Sequence, residues 1–510
     1  MSATALRICT ASSCRSRGGE TLRASLAPVA DASDGRLSVT GVGCLGPCSD
    51  GPLMAIGPRL FSLEAPEPEP LAQSLLQALR HGGLEKWRPP GGPLIPADDA
   101  FLRLQRRLVL ERCGVIDPDS LEAALAQGSY RQLQRVLTSS TPAEVIDAVR
   151  RSGLRGRGGA GYPTGLKWAT VAASAPGDRV VVCNGDEGDP GAFMDRTVME
   201  GDPHRLLEGM AIAAYAIGAS RGFLYVRAEY PLAIERLRRA LAAAQAQRWL
   251  GIGIAGTRFH FDVELRVGAG AYVCGEETAL IHSIEGGRGV PRPRPPYPAA
   301  RGVFGLPTLI NNVETFANVP VLLQLGPEAY QPGTKVFSLT GQVRRGGVLE
   351  VPMGTSLRTI VEEMGGGAPA GRAIKAVQTG GPSGGCVPAA HLDTPVDYES
   401  LRALGSTMGS GGMVVLDDTT DMVDLAAFFM AFCREESCGK CVPCRCGTVQ
   451  LELLLRKVLA HRAEPQDLEQ LEQLCHTVQQ ASLCGLGQCA PNPVLSILRH
   501  FRPELEGRLR

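Results

Sequence analysis

A chain of 510 residues, 44% of them apolar, is long enough for several separately cored units. Its 52 Lys and Arg balance 52 Asp and Glu, and zero net charge argues against a nucleic-acid or anionic-membrane partner. No apolar run approaches the ~20 residues of a membrane span. Met1–Arg7 carries no apolar signal core, so a cytoplasmic, reducing setting is expected.

In chain order, residues 1–85 read as a small α/β unit. Strand-like Leu6–Cys9 is followed by a helical stretch over Glu20–Leu26 and a second strand over Arg36–Val42. Met54–Ile56 and Arg59–Phe61 read as a hairpin around Gly57-Pro58, and Leu71–Leu79 as a helix. The Pro- and Gly-rich stretch within 86–97 reads as a linker. Residues 98–330 read as a large α/β unit, with buried strands at Arg179–Cys183 and Gly222–Val226 and helices at Pro142–Ser152 and Pro231–Gln247. Residues 331–420 carry β signals at Lys335–Leu339 and Met413–Leu416 and one helical stretch at Leu357–Met364. Residues 421–510 read as mostly helical.

Sixteen cysteines in a chain without an export signal argue against a disulfide framework. They cluster at the two ends, which favours metal sites. Cys438, Cys441 and Cys444 stand at C-x2-C-x2-C spacing with Cys484 far downstream, a set that suits a [4Fe–4S] cluster. A structural zinc site is the rival, although zinc knots usually pair two C-x2-C knuckles. On spacing alone Cys489 competes with Cys484; the small residues around Cys484 favour it. Cys9, Cys14, Cys44 and Cys48 form a second set of two pairs, which suits a [2Fe–2S] cluster with zinc again the rival. Cys433, Cys446, Cys475 and Cys489 read as packing residues, as do the isolated Cys113, Cys183, Cys274 and Cys386.

Gly156-Arg157-Gly158-Gly159-Ala160-Gly161 matches G-x-G-x-x-G. A helical stretch precedes it where a dinucleotide fingerprint requires a strand, so it is not read as a standard site of that kind. Its glycines still let backbone N–H groups approach a phosphate or a flat ring, with Arg155, Arg157 and Lys167 adding positive charge. Asn184–Asp189 follows a buried strand, where ligands bind in open α/β sheets. Gly268–Glu277 and Asn311-Asn312 are further glycine-rich or polar loops able to line the same pocket.

Together these residues resemble the NADH-binding flavoprotein subunit of respiratory complex I. The resemblance rests on Gly156–Trp168, Asn184–Glu187, Gly275–Glu277, Ile310–Thr315 and Glu436–Arg445, and spans about 98–500. It implies FMN, NAD(H) and one [4Fe–4S] cluster in a Rossmann-like domain, a ubiquitin-like (SLBB) β-grasp domain over 331–420, and a carboxyl-terminal helical bundle over 421–510. Residues 1–85 resemble the thioredoxin-like [2Fe–2S] domain of another complex I subunit. The fusion is similar to diaphorase subunits of bidirectional NAD-reducing hydrogenases. Beta subunits of NAD-dependent formate dehydrogenases and of bifurcating hydrogenases are alternatives.

Position by position, the resemblance implies that Gly156, Gly158, Gly159 and Gly161 let the backbone meet FMN and NAD(H), and that Lys167 contacts their polar groups. It implies hydrogen bonds to the flavin from Asn184, Asp186 and Glu187. Gly275 and Glu276 are expected to pack on its ring, and Glu277 to meet NADH. Asn311, Asn312 and Thr315 are expected to hold the FMN phosphate, and Tyr162 and Tyr297 to stack on adenine. Asp189 stands where complex I proteins usually carry a glutamate, so retuned nucleotide contacts are expected there. Cys446 leaves a spare thiol near the cluster. The implied reaction is hydride transfer between NAD(H) and FMN, with single electrons passed on to other iron–sulfur and hydrogenase or formate dehydrogenase subunits of a soluble hetero-oligomer. No side chain is expected to act as the catalyst.

Overall fold

The computed structural model describes residues 3–63 and 67–510. Three five-stranded sheets follow one another along the chain, and helices close its carboxyl-terminal end.

The first sheet runs β2-β1-β3-β4-β5 and is built from β1 (Thr4–Cys9), β2 (Leu37–Val42), β3 (Leu53–Ile56), β4 (Arg59–Ser62) and β5 (Leu94–Ile95). β1 and β2 pair in parallel, β1 and β3 antiparallel, and the β3–β4 hairpin turns at Gly57-Pro58 as the sequence predicts. The stretch read as a linker behaves differently. Leu94–Ile95 adds an edge strand to β4, and Trp87 is buried against the Leu6, Ile8, Phe61 and Leu75 core. Two-residue strands lie below any periodicity signal, and burial of Trp87 depends on packing that composition does not encode.

The second sheet runs β10-β6-β7-β9-β8: β6 (Val180–Gly185), β7 (Arg221–Arg227), β8 (Gly251–Ile252), β9 (His260–Gly268) and β10 (Thr308–Asn312). All but β8 pair in parallel. Helices must therefore cover both faces, which is why Val180–Cys183 is apolar without alternation. The helix Pro203–Ile217 is buried along nearly its whole length. The helix Pro142–Arg151 starts at a capping box between Thr141 and Glu144.

The third sheet runs β12-β11-β15-β13-β14: β11 (Thr334–Gly341), β12 (Gly347–Pro352), β13 (Ile374–Thr379), β14 (Gly385–Pro388) and β15 (Gly412–Asp417). It is mixed, with β11 and β15 parallel and the other pairings antiparallel. The carboxyl-terminal helices Met422–Glu435, Val442–Leu459, Pro465–Ala481 and Asn492–His500 share a core of Leu451, Leu455, Leu471, Cys475 and Ile497.

The units meet over bare backbone and buried charge. A Cβ on Gly43 would stand 2.6 Å from Gly201 Cα, and one on Gly347 would stand 2.2 Å from the Gly46 carbonyl oxygen. Lys335 of β11 pairs with Glu314, both almost fully buried. Glu350 of β12 accepts the N–H groups of Leu108, Val109 and Leu110, each at 2.9 Å. A buried carboxylate paired in this way costs several kcal/mol if one partner is removed, so these contacts fix how the units sit.

Candidate flavin and iron–sulfur sites

The carboxyl ends of β6, β9 and β10 open on one side of the second sheet. There the Gly156–Gly161 loop crosses between the helices Pro142–Arg151 and Thr164–Ala172, rather than between a strand and a helix. Its backbone is held from both sides. The Arg157 N–H donates to Thr315 Oγ1 at 2.9 Å, and Tyr398 Oη donates to the Gly156 carbonyl at 2.7 Å. Gly161 has φ +62°, and any Cβ there would collide with the Tyr398 ring at 2.5 Å. At Gly158 a Cβ would come 2.9 Å from that of Asn312.

The structure brings the predicted polar residues to this loop, but it engages several of them with one another. Lys167 Nζ is held by Glu277 and by the Ile310 carbonyl at 2.6 Å. Asn311 accepts from Trp168 Nε1 at 3.0 Å, and Asn312 caps the helix Val313–Leu325 through the Thr315 N–H while also donating to Asp195. Glu276 caps the helix Glu277–Ile284 through the N–H groups of Thr278 and Ala279. Asn184 donates to the Gly275 carbonyl at 2.8 Å.

The hydrogen bonds expected from Glu187 to a flavin go inward instead. They run from the N–H groups of Asp195 and Arg196 at 2.9 and 3.0 Å and from Tyr230 Oη at 3.0 Å. Its neighbour Asp186 has an Oδ2 that is buried with no partner, 3.9 Å from where a Cβ on Gly275 would stand. Burial pushes the Asp186 carboxyl up to about 7, against the partial counter-effect of Arg227. An unpaired buried acceptor beside the bare backbone of Gly275 fits the polar edge of a flavin ring. Tyr162 and Tyr297 are half exposed at the rim, with Arg294 over the Tyr297 ring.

Asp189 is held half-buried between Tyr272 Oη and Ser410 Oγ, each at 2.8 Å, and desolvation raises its carboxyl above the ordinary range. Tyr272 is a site residue the sequence reading missed. Its hydroxyl holds Asp189, and its N–H donates to Glu436 at 2.8 Å, just before the first cluster cysteine. The available signal was its position between Gly270 and Gly275, inside a loop already singled out.

Cys438, Cys441, Cys444 and Cys484 line one hollow with Val273, Pro291, Lys440, Leu483 and Leu486. Cys484 lies on its wall and Cys489 does not. Leu483 N–H points at Cys441 Sγ at 3.5 Å, and Ser437 Oγ lies 3.2 Å from Cys444 Sγ. Cys446 is exposed, away from the hollow, while Cys433 and Cys475 are buried in packing. Cys9, Cys14, Cys44 and Cys48 line a second hollow, whose far wall is Phe193, Arg196, Thr197 and Glu200. Cys44 and Cys48 Sγ stand 3.4 Å apart, and the Gly46 N–H donates to Cys44 Sγ. Among the described residues no three His, Cys, Asp or Glu side chains close on a single-ion position; the thiols stand around the rims of their hollows.

A glycine loop with an unpaired buried carboxyl nearby, beside a four-thiol hollow, suits a flavin- and iron–sulfur-dependent oxidoreductase of the NADH dehydrogenase type. The comparisons with known proteins agree. Residues 149–321 match the Nuo51 FMN-binding domain, and 424–508 match the NADH-ubiquinone oxidoreductase-F iron–sulfur binding region. The chain is 51% identical over 412 residues to the NADP-reducing hydrogenase subunit HndC of Solidesulfovibrio fructosivorans, covering 79% of this chain and 84% of that one. It is 47% identical over 404 residues to an NADH-quinone oxidoreductase polypeptide of Rhizobium meliloti, covering 78% and 96%. Its fold matches a chain of an air-oxidized NAD+-reducing [NiFe]-hydrogenase crystal structure at 31% identity and TM-score 0.69, over 99% of this chain and 85% of that one. The chain belongs to the family of NADH-binding flavoproteins found in complex I and the related hydrogenases. Among the described residues no helix is long and apolar enough to cross a membrane.

Proposed function

We propose that this chain is the diaphorase subunit of an NAD-reducing hydrogenase complex, exchanging hydride between NAD(H) and FMN and passing single electrons to its partners. FMN supplies the conversion of a hydride to single electrons, and iron–sulfur clusters carry those electrons onward. The observation that carries this reading is one short segment shared by both sites. Tyr272, Gly275 and Glu277 contact Asp189, Asn184 and Lys167 of the candidate flavin site, while Val273 lines the hollow of Cys438, Cys441, Cys444 and Cys484.

The residues present fit those groups. Asp186, Asn184 and Gly275 would border the flavin ring, and the Gly156–Gly161 backbone with Asn311, Asn312 and Thr315 would hold its phosphate end. Lys167 and Glu277, held together, would meet the nucleotide. Asp189 would shape its nicotinamide side, and Tyr162 and Tyr297 the adenine side. Glu187 and Glu276 act indirectly, by fixing the start of the Met194–Gly201 and Glu277–Ile284 helices. The thiols of Cys438, Cys441, Cys444 and Cys484 would hold a [4Fe–4S] cluster, and those of Cys9, Cys14, Cys44 and Cys48 a [2Fe–2S] cluster. The first sheet would then be thioredoxin-like and the third a ubiquitin-like (SLBB) unit, between the flavin domain and the helical [4Fe–4S] domain. Partner subunits with further iron–sulfur clusters and the hydrogen chemistry would complete a soluble complex in the cytoplasm.

Anaerobic purification with iron and flavin quantitation, followed by EPR after adding NADH, tests this. About six irons, one FMN and two NADH-reducible cluster signals are expected. Folded, metal-loaded protein with no flavin and no NADH-reducible signal would overturn it, and zinc in place of iron would return the thiol sites to structural roles.

A further inference from the structure

The far wall of the amino-terminal thiol hollow comes from the flavin unit. It is one face of the helix Met194–Gly201, which presents Arg196 and Glu200 one turn apart. We propose that Arg196 is a tuning residue for the amino-terminal cluster, its charge standing on the wall of the hollow that the thiols of Cys9, Cys14, Cys44 and Cys48 also line. The inference rests on reading those thiols as [2Fe–2S] ligands.

Three observations support it. First, the two charges on this wall are unequally engaged. Glu200 takes the Ser12 N–H at 2.9 Å and the Ser12 hydroxyl on its two oxygens, so its charge is spent on the loop between Cys9 and Cys14. The Arg196 guanidinium makes no hydrogen bond to protein among the described residues and approaches Glu200 only at 3.9 Å. Its side chain is 24% exposed and lies over the Phe193 and Tyr230 rings, which hold it in place. Second, the same residue is tied to the segment that borders the candidate flavin site: its backbone N–H donates to Glu187, the neighbour of Asp186, and Glu187 also takes the Asp195 N–H at the start of this helix. Third, the wall cannot slide, because Gly201 at the helix end meets Gly43 backbone to backbone.

Adding an electron makes a cluster more negative by one charge. A fixed cation on its wall favours the reduced form and raises its potential, and hydrogen bonds to its sulfurs act in the same direction. Arg196 would thereby keep the amino-terminal cluster within reach of electrons arriving at the flavin pocket.

The test is an EPR-monitored redox titration of the holoprotein. Parent protein is measured first: absence of a [2Fe–2S] signal there would overturn the amino-terminal cluster itself, and this role with it. With the signal present, Arg196→Gln and Arg196→Met should lower the reduced-to-oxidised ratio of that cluster roughly tenfold at a fixed potential, equivalent to 59 mV for one electron. Arg196→Lys should recover most of the difference. The carboxyl-terminal cluster should titrate as in the parent in all three. Whichever charge-removing variant retains its cluster decides the matter. An unchanged potential overturns the proposal, and so does a shift equally large in Arg196→Lys, which would make the effect one of shape rather than charge.

Discussion

The two thiol hollows have the same donor set and opposite surroundings. The carboxyl-terminal one is walled by Val273, Pro291, Leu483 and Leu486, with Lys440 turned to the Pro291 carbonyl at 2.6 Å. The amino-terminal one is half-walled by a charged helix face carrying Arg196 and Glu200. Both are completed by the flavin unit, which supplies apolar Val273 and Pro291 to the one and charged Arg196 and Glu200 to the other. Cysteine spacing specifies what is bound, and the wall specifies how easily it takes charge.

Five substitutions probe the two hollows and the flavin site that serves them. The largest effects come from the thiols. Cys441→Ser should remove about four irons and the carboxyl-terminal signal while leaving the amino-terminal one; Cys44→Ser should remove about two irons and do the reverse. Iron quantitation with EPR reads both. Next, Lys167→Ala breaks the charged contact with Glu277 and the bond to Ile310 at the common electron source. A charged hydrogen bond contributes ~1.5–3 kcal/mol, so kcat/KM for NADH-dependent dye reduction should fall roughly 10- to 100-fold. Both clusters should then slow together in stopped-flow reduction.

Gly43→Val is a gentler probe. It would push a side chain into Gly201, costing about 1–3 kcal/mol, and should loosen the amino-terminal signal alone. Chemical denaturation followed at that cluster's absorbance measures it. The last probe is pH. The Asp186 carboxyl is raised from 3.8 to about 7 by burial. The folded state therefore binds more protons than the unfolded one between those values, so this group lowers stability as pH rises from about 4 to about 7, then no further. In flavin-free protein, the stability gained by Asp186→Asn should grow across that window and level off above it, as read by thermal melts at stepped pH. A gain that does not change with pH would show that Asp186 does not titrate there.

Much of this was legible in the sequence because the chemistry is local. C-x2-C-x2-C, the glycine loop and the polar ends of β6 and β10 are short motifs whose spacing carries their purpose. Apolar Val180–Cys183 announced a doubly covered strand for the same reason. What was not legible depends on distant partners. Tyr398 belongs to the third unit, and only its seat under Gly161 connects it to the loop. Nothing in Glu187 itself says that its carboxylate turns toward Tyr230 rather than outward. Arg196 and Glu200 look like an ordinary exposed i,i+4 pair until the first sheet is placed against them. Leu94–Ile95 is too short to register as a strand.

The backbone contact between Gly43 and Gly201 has a consequence for how such chains can be rebuilt. Side chains at an interface act as adjustable spacers, and a mismatch of one methyl can be absorbed by a rotamer change. At this point there is no spacer, so here the gap between the thiol loop and the helix leading from the flavin pocket is set by backbone thickness. A transplanted amino-terminal unit would therefore work only if its loop carried a glycine in register. Electron tunnelling is steeply sensitive to distance, so this seam would work as a fixed gauge between the flavin and the proposed amino-terminal cluster.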